Sequence, residues 1–277
     1  MRVRSKQVPC AYDLSRVNAA MLAKITEGKW AHLFEETPES LLAVDSDAKT
    51  IKGNKVLGKS GRPIKTAVMY LAPHTLSGEN LCAMAHLAGC DGPLCLFTAG
   101  KGELSSTMAG RLRKTLFFLQ HRERFIAMLM KEIAALVAKC EAEGFELVIR
   151  LNGTSDIRWE LLGIPQAFPR TQFYDYTKLP NRRNVPANYD LTFSYSGTKA
   201  YAPHVARAIA AGERIAVVFR SEKLVKAKLA RGETFMGLPL IDGDDSDVRH
   251  LEPKACVVAL YAKGRVAPKD KSGFVQD

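Results

Sequence analysis

From Thr66 onward, short apolar runs alternate with longer amphipathic ones. Thr66–Leu71, Glu146–Leu151, Gln172–Thr177, Leu191–Tyr195, Arg214–Phe219 and Cys256–Tyr261 read as strands, with Leu238–Ile241 a weaker one. Such compact apolar runs suit strands buried on both faces. Between the first two runs, residues Ser105–Glu143 carry Leu112, Leu116, Leu119, Phe125, Leu129, Ile133, Leu136 and Cys140 mostly at three- and four-residue steps. That spacing predicts a long helix, broken once near His121 and stopped by Gly144. Its other face carries Arg111, Arg113, Lys114, Arg122, Arg124 and Lys131. Ile157–Leu162, Tyr201–Ala211 and Ser221–Arg231 suit helices or loops.

Strand, helix and strand in alternation imply a parallel sheet with crossover connections. The expected fold is α/β: a partial (β/α) barrel with mostly parallel strands and a cysteine loop after the first. An open doubly wound sheet is the alternative. Leu14–Phe34 has helical spacing, and the Lys- and Gly-rich Asp47–Arg62 reads as an exposed connection or hairpin. Residues 1–62 are expected to pack as a lead-in on a domain spanning 63–277.

Of the 277 residues, 47% are hydrophobic, enough to build a core. No apolar run has the length of a membrane span, and the basic Met1-Arg-Val-Arg-Ser-Lys start leads into no long apolar stretch. The expectation is a cytoplasmic protein with no membrane partner. Its net charge of +11, from 40 Lys+Arg against 29 Asp+Glu, favours an anionic partner such as a nucleotide or nucleic acid. A merely solvated surface is the bland reading. Neither G-x-G-x-x-G after the first strand nor G-x-x-x-x-G-K-[ST] is present, so the usual nucleotide-binding loops are missing.

Three of six cysteines crowd into one loop: Cys82-Ala-Met-Ala-His86-Leu-Ala-Gly-Cys90-Asp-Gly-Pro-Leu-Cys95. In a reducing compartment such crowding suggests thiolate chemistry rather than cross-linking. With His86, or His74 upstream, Cys82, Cys90 and Cys95 can close a zinc site. Alone, three thiolates can hold an iron–sulfur cluster with one iron open to a substrate or cofactor. Reduced cysteines packed as small apolar groups are the competing reading. Gly100-Lys-Gly102 is expected to close the loop.

Polar residues cluster where the other strands end, the edge at which parallel α/β proteins gather their chemistry. Arg150-Leu-Asn152-Gly-Thr-Ser155-Asp156-Ile-Arg158 offers an inward-facing cation and a turn that can also cap a helix. Tyr176-Thr-Lys178, Ser194-Tyr-Ser196, Asp247-Val-Arg249 and Lys263 follow the later strands. Asp156 and Tyr176 are the proton-handling candidates, and Lys178 is the cation that holds a phosphate or carboxylate. Arg150, Asn152, Ser155, Arg158, Ser194, Ser196, Asp247, Arg249 and Lys263 are the substrate-binding candidates. The four carboxylates of Asp242-Gly-Asp-Asp-Ser-Asp247 read either as a magnesium or calcium site or as an acidic surface turn.

Taken in order, Cys-x7-Cys-x4-Cys, Arg150-x-Asn-Gly-Thr-Ser-Asp156, Tyr176-Thr-Lys178 and Asp242-Gly-Asp-x2-Asp247-x-Arg249 resemble the bacteriophage family known as gene product 88. The resemblance covers Thr66 to Val275 and implies a phage protein working in the cytoplasm of the infected bacterium. A more distant analogy is with radical S-adenosylmethionine enzymes, where a cluster loop follows the first strand and a glycine-rich turn follows the second. Asn152-Gly153-Thr154 occupies the comparable place, whereas the Cys-x3-Cys-x2-Cys spacing of those enzymes is absent. The expected function is an iron–sulfur enzyme acting on an anionic substrate, with S-adenosylmethionine as a candidate cofactor. The alternative is a zinc-stabilised nucleic-acid-binding protein.

Overall fold

The computed structural model describes residues 2–26, 30–95, 102 and 104–277, so Gly100 and Lys101 of the expected loop closure lie outside the described residues. Strands β1 (Leu42–Val44), β2 (Ile64–Met69), β3 (Glu146–Arg150), β4 (Gln172–Thr177), β5 (Tyr189–Ser194), β6 (Arg214–Phe219), β7 (Thr234–Phe235), β8 (Leu238–Asp242), β9 (Val257–Tyr261) and β10 (Val275–Gln276) form one sheet. Its order is β1-β2-β3-β4-β5-β6-β9-β8-β7, with β10 beside β6. The stretch from β2 to β6, then β9 and β8, is parallel, while β1 and β7 run antiparallel to their neighbours at the two ends.

Strand order follows chain order from β2 to β6, so each crossover advances in the same direction, as in a (β/α) barrel. A doubly wound sheet would instead reverse direction partway along. The sheet does not close. A mostly parallel, partial-barrel α/β fold is therefore what the sequence pattern builds. Pairing of β5 with β6 stops at Ser194 opposite Ala216, and β10 takes up Val218 and Phe219 beyond it.

The helices are α1 (Ala19–Thr26), α2 (Ala48–Gly53), α3 (Ser105–Gln120), α4 (Arg122–Ala142), α5 (Ile164–Ala167), α6 (Ala202–Ala210) and α7 (Glu222–Ala230). The expected break falls at His121, whose φ of −132° and ψ of 50° leave the helical region. Phe117, Phe125, Leu129 and Leu136 of α3 and α4 pack with Ala67, Met69, Ile149 and Phe173 on the outer face of the sheet. Val205 and Ala208 of α6 and Val225 of α7 cover β5, β6 and β9 through Phe193, Val217 and Val257.

The basic residues on the other face of the long helix are partly spent inside. Lys114 donates to Leu41 O at 2.8 Å, and Glu132 of α4 accepts from the backbone N–H groups of Leu41 and Leu42 at 2.8 and 3.1 Å. Two helix side chains thus satisfy the β1 backbone on the side away from β2. Burial pushes Lys114 down to about 8.

Side chains alternate across each strand, so Thr66, Val148, Arg150, Tyr174, Tyr176, Thr192 and Arg214 share the concave face. That face is filled by α2 and by the chain from 243 to 254, not by closure of the sheet. Asp47–Arg62 is accordingly more than an exposed connection. Asp47 accepts from Lys49 N and Thr50 N, and Thr50 Oγ1 accepts from Asp47 N, a capping box that starts α2. Thr50 and Gly53 face inward, and a Cβ on Gly53 would stand 3.1 Å from Val248 Cγ2. Val248 joins Ile64, Val148 and Tyr174 in a small apolar cluster. Lower down, the buried Arg214 is held by Asp190 at 2.6 Å, Thr192 at 2.9 Å and Pro253 O at 3.0 Å. His250 lies against the Tyr174 ring, 5.8 Å between centroids, and neither ring nitrogen has a hydrogen-bond partner among the described residues.

Two outcomes follow for stability. Glu132→Ala leaves two buried N–H groups unpaired and should cost about 3 kcal/mol in urea unfolding, with Glu132→Gln costing less. Burial pushes His250 down to about 4, whereas an unfolded chain protonates its imidazole near pH 6.5. Between those values the unfolded state binds the extra proton, so stability falls as pH drops from about 6.5 to 4. His250→Phe should flatten that part of the pH–stability profile measured by denaturant melts.

Candidate functional site

β2 delivers the chain through Pro73 into the cysteine loop, which lies over the carboxyl edge of the parallel strands. Three ties hold it there. Leu81 O accepts from Asp156 N at 2.9 Å, Leu87 O accepts from Thr198 Oγ1 at 2.6 Å, and Cys82 Sγ lies 4.0 Å from Thr154 O. Loop, β3 turn and β5 end are thereby joined. Cys82, Cys90 and Cys95 are half-buried and form no disulfide. Burial pushes Cys82 up to about 12, with Asp156, Cys95 and Cys90 adding to the effect. Burial also raises Cys90, against the pull of Lys178.

Cys82 therefore lies within charge range of both other thiols. Among the described residues, no three His, Cys, Asp or Glu side chains gather as ligands of one ion. His86 is 92% exposed and pairs with Asp91 at 3.1 Å. His74 accepts from Gly92 N at 3.4 Å through Nε2 and meets Thr75 Oγ1 at 2.9 Å through Nδ1.

Asp156 stands beside the thiols and ties two strand ends together. Its carboxylate accepts from Thr177 Oγ1 and Lys178 N, both at 2.8 Å, with Arg182 at 3.8 Å. Burial raises its pKa against these partners. Lys178 Nζ donates to Ser194 Oγ at 2.9 Å and lies 5.0 Å from the Phe274 ring centre. Among the described residues it has no carboxylate within 4 Å. Phe274 belongs to a C-terminal strap: Gly273 O accepts from Gly197 N at 2.9 Å, and β10 pairs with β6 below. A Cβ on Gly197 would stand 2.8 Å from Gly273 O, so this crossing needs glycine. Ser196 is buried and accepts from Thr198 N at 3.3 Å.

One layer below Lys178 on the concave face lies a charged network. Arg150 donates to Asp247 at 2.7 Å and sits 4.8 Å from the Tyr176 ring centre. Tyr176 donates to Asp247 at 3.2 Å and accepts from Arg249 Nε at 2.7 Å. Arg249, fully buried, also reaches Glu252 and the carbonyls of Gly243 and Ser246. Burial pushes Asp247 up, yet Arg150 and Arg249 hold it below the usual carboxylate range. Asp247 and Arg249 thus anchor the filling segment.

Asn152 and Ser155 build the turn after β3. Asn152 Oδ1 accepts from Ser155 Oγ at 2.9 Å, Ile157 N at 2.9 Å and Trp159 Nε1 at 3.0 Å. Asp175 accepts from Asn152 N at 2.8 Å and Tyr189 Oη at 2.8 Å, and burial pushes it up to about 7. Gly153 is needed because a Cβ would come 2.6 Å from Met69 O. Two other positions stand apart. Arg158 pairs with Glu160 at 3.1 Å, and Lys263 pairs with Asp244 at 2.9 Å on a cleft of about 300 Å³ shared with Lys49 and Tyr261.

The structure thus brings Cys82, Cys90, Cys95, Asp156, Lys178 and Ser194 to one edge. Arg150, Tyr176, Asp247 and Arg249 sit beneath it. Arg111, read from sequence as part of the helix face opposite the apolar stripe, leans over the Tyr70 ring at 5.1 Å beside this edge. Nothing in the helical pattern marks it, because a polar residue at that spacing is ordinary.

Residues 40–277 match the family described as Gene product 88. No curated protein and no solved structure matches. Among the described residues, no helix is long and apolar enough to cross a membrane.

Asp247→Ala would leave Arg150 and Arg249 facing one another without their shared carboxylate. It should cost about 3 kcal/mol or more in equilibrium unfolding. An Arg150→Met, Asp247→Leu pair should recover part of that loss.

Proposed function

This chain belongs to the gene product 88 family, and on that footing we propose that it is a phage metalloprotein in which Cys82, Cys90 and Cys95 hold an iron–sulfur cluster and the carboxyl edge takes an anionic substrate, a nucleotide or a nucleic acid. The observation that carries this reading is the arrangement of the thiols. One loop sets all three, half-buried, over the carboxyl edge, with Cys82 within charge range of both Cys90 and Cys95. Three thiolates on one loop are the ligand set of a cluster that leaves one iron open. This reading uses the three thiols alone: His86 faces solvent with Asp91, and His74, the other candidate fourth ligand of a zinc site, is engaged by Gly92 N and Thr75 Oγ1.

When bound, the cluster supplies an iron with a position open to substrate or cofactor. The chain's own residues supply the rest. Asp156, its carboxyl raised by burial and facing the thiols, is the group that holds or moves a proton. Lys178, aimed by Ser194, holds an anionic group. Tyr176 acts through its bonds to Asp247 and Arg249, fixing Arg150 beneath the edge. S-adenosylmethionine enters as a candidate cofactor through the order of elements alone, thiol loop after β2 and glycine turn after β3. A reducing bacterial cytoplasm during infection is the compartment in which these thiols stay reduced.

Anaerobic purification with iron, sulfide and zinc analysis and an absorption spectrum tests this. Iron with acid-labile sulfide and visible absorbance is expected, and Cys90→Ser should lose both. Stoichiometric zinc without sulfide, or a C90S protein with full metal content, would sink the cluster reading.

A further inference from the structure

The fold pairs its deeply buried guanidinium groups with carboxylates: Arg150 with Asp247, Arg182 with Glu160, Arg214 with Asp190 and Arg249 with Glu252. Arg111 breaks that rule. Its Nε and Nη1 are buried with no hydrogen-bond partner, and no carboxylate lies within 4 Å of it among the described residues. An unpaired buried charge is costly, and removing its burial or supplying a counter-charge relieves the cost.

The position of this orphan charge is set by its surroundings. Thr115 Oγ1 donates to Arg111 O at 2.9 Å and accepts from Ala72 N at 2.8 Å, locking this turn of α3 to the chain just past β2. Tyr70, beneath the guanidinium, is held by Ser46 and Asp47 through its hydroxyl, both at 3.1 Å. The Tyr70 ring in turn lies against the Gly153 turn, where a Cβ would come 2.7 Å from its Cδ1. Arg111 is also within charge range of Cys95. Lys178 stands near Cys90 in the same way. Two cations with no carboxylate within 4 Å among the described residues therefore lie along the thiol loop, one near Cys90 and one near Cys95.

We propose that Arg111 is the seat for an oxyanion of the substrate, a carboxylate or a phosphate, bound at the carboxyl edge beside Cys95 and the Gly153 turn. A planar guanidinium offers paired donors matched to either group. The proposal rests on the reading that this edge takes an anionic substrate, and it locates the charged end of that substrate.

Thermal melts of the whole chain at matched ionic strength test it, with inorganic phosphate, acetate or chloride as the anion. Wild type should gain about 3 °C at saturating phosphate or acetate over chloride. The stronger of the two responses assigns the group. Arg111→Met should start about 3 °C higher in chloride, because an unpaired buried charge is gone, and should gain nothing from either oxyanion. Arg111→Lys should keep part of the gain, which covers the case of an R111M protein that does not fold. No oxyanion response in wild type, the same response in wild type and both variants, or an R111M protein that starts lower would each overturn the assignment. Metal content of C90S reads a separate quantity, so loss of the cluster reading leaves the anion result standing, and the reverse.

Discussion

Asp247 is clamped between two arginines, and the rest of the structure depends on that clamp. A parallel sheet that turns toward a barrel but stops short leaves a concave face that water or protein must fill. Here the chain from 243 to 254 fills it, and Arg249 holds that segment by the carbonyls of Gly243 and Ser246 as well as by Tyr176. Arg150 grips the same carboxylate from β3. Desolvating three charges is expensive, and the set is stable only because its hydrogen bonds are nearly complete. Arg150 Nε, without a hydrogen bond of its own, is the exception, and Asp175 stands 3.9 Å from it. An apolar filling of equal volume would hold the face as well, but it would not fix the register between segment and strands.

That register reaches the edge through one short turn. Arg150 ends β3, and Asn152 two residues on gathers three donors onto a single oxygen. Asp175, one strand over, receives the backbone of the same turn. Asp156 then spans from this turn to the end of β4 and to the loop that carries the thiols. The arrangement of Cys82 and Cys90 relative to Lys178 is therefore set from beneath by buried polar groups, not by the loop itself.

Much of this was legible along the chain, for local reasons. Gln172–Thr177 and Arg214–Phe219 are strands as their apolar runs predict, and the long helix breaks at His121 as its spacing predicts. The cysteine loop and the polar residues after the strands meet at one edge of the sheet because the order of elements places them there. What was hidden depends on distant partners. β1 spans three residues and is held by Glu132 and Lys114 from helices far along the chain. The segment Asp47–Arg62 looked exposed because the Val248 and Thr66 that receive α2 are invisible in its own composition. Arg150 and Asp247 are 97 residues apart. Arg111 differs from its helical neighbours in having two buried guanidinium nitrogens without a hydrogen bond, a property of the folded surroundings and not of sequence.

An unclosed sheet has two flanks where a second molecule can add a strand, the usual route to aggregation. On the β1 flank, Glu132 and Lys114 occupy the backbone groups of Leu41 and Leu42 that an incoming strand would need. On the other, β7 spans only Thr234–Phe235 and ends at once in the hairpin turn Met236-Gly237, both at positive φ, that leads back into β8. Neither flank offers a template of useful length. The molecule can keep its barrel open, with the carboxyl edge accessible from the side, and still discourage its own copies from growing onto it as fibrils.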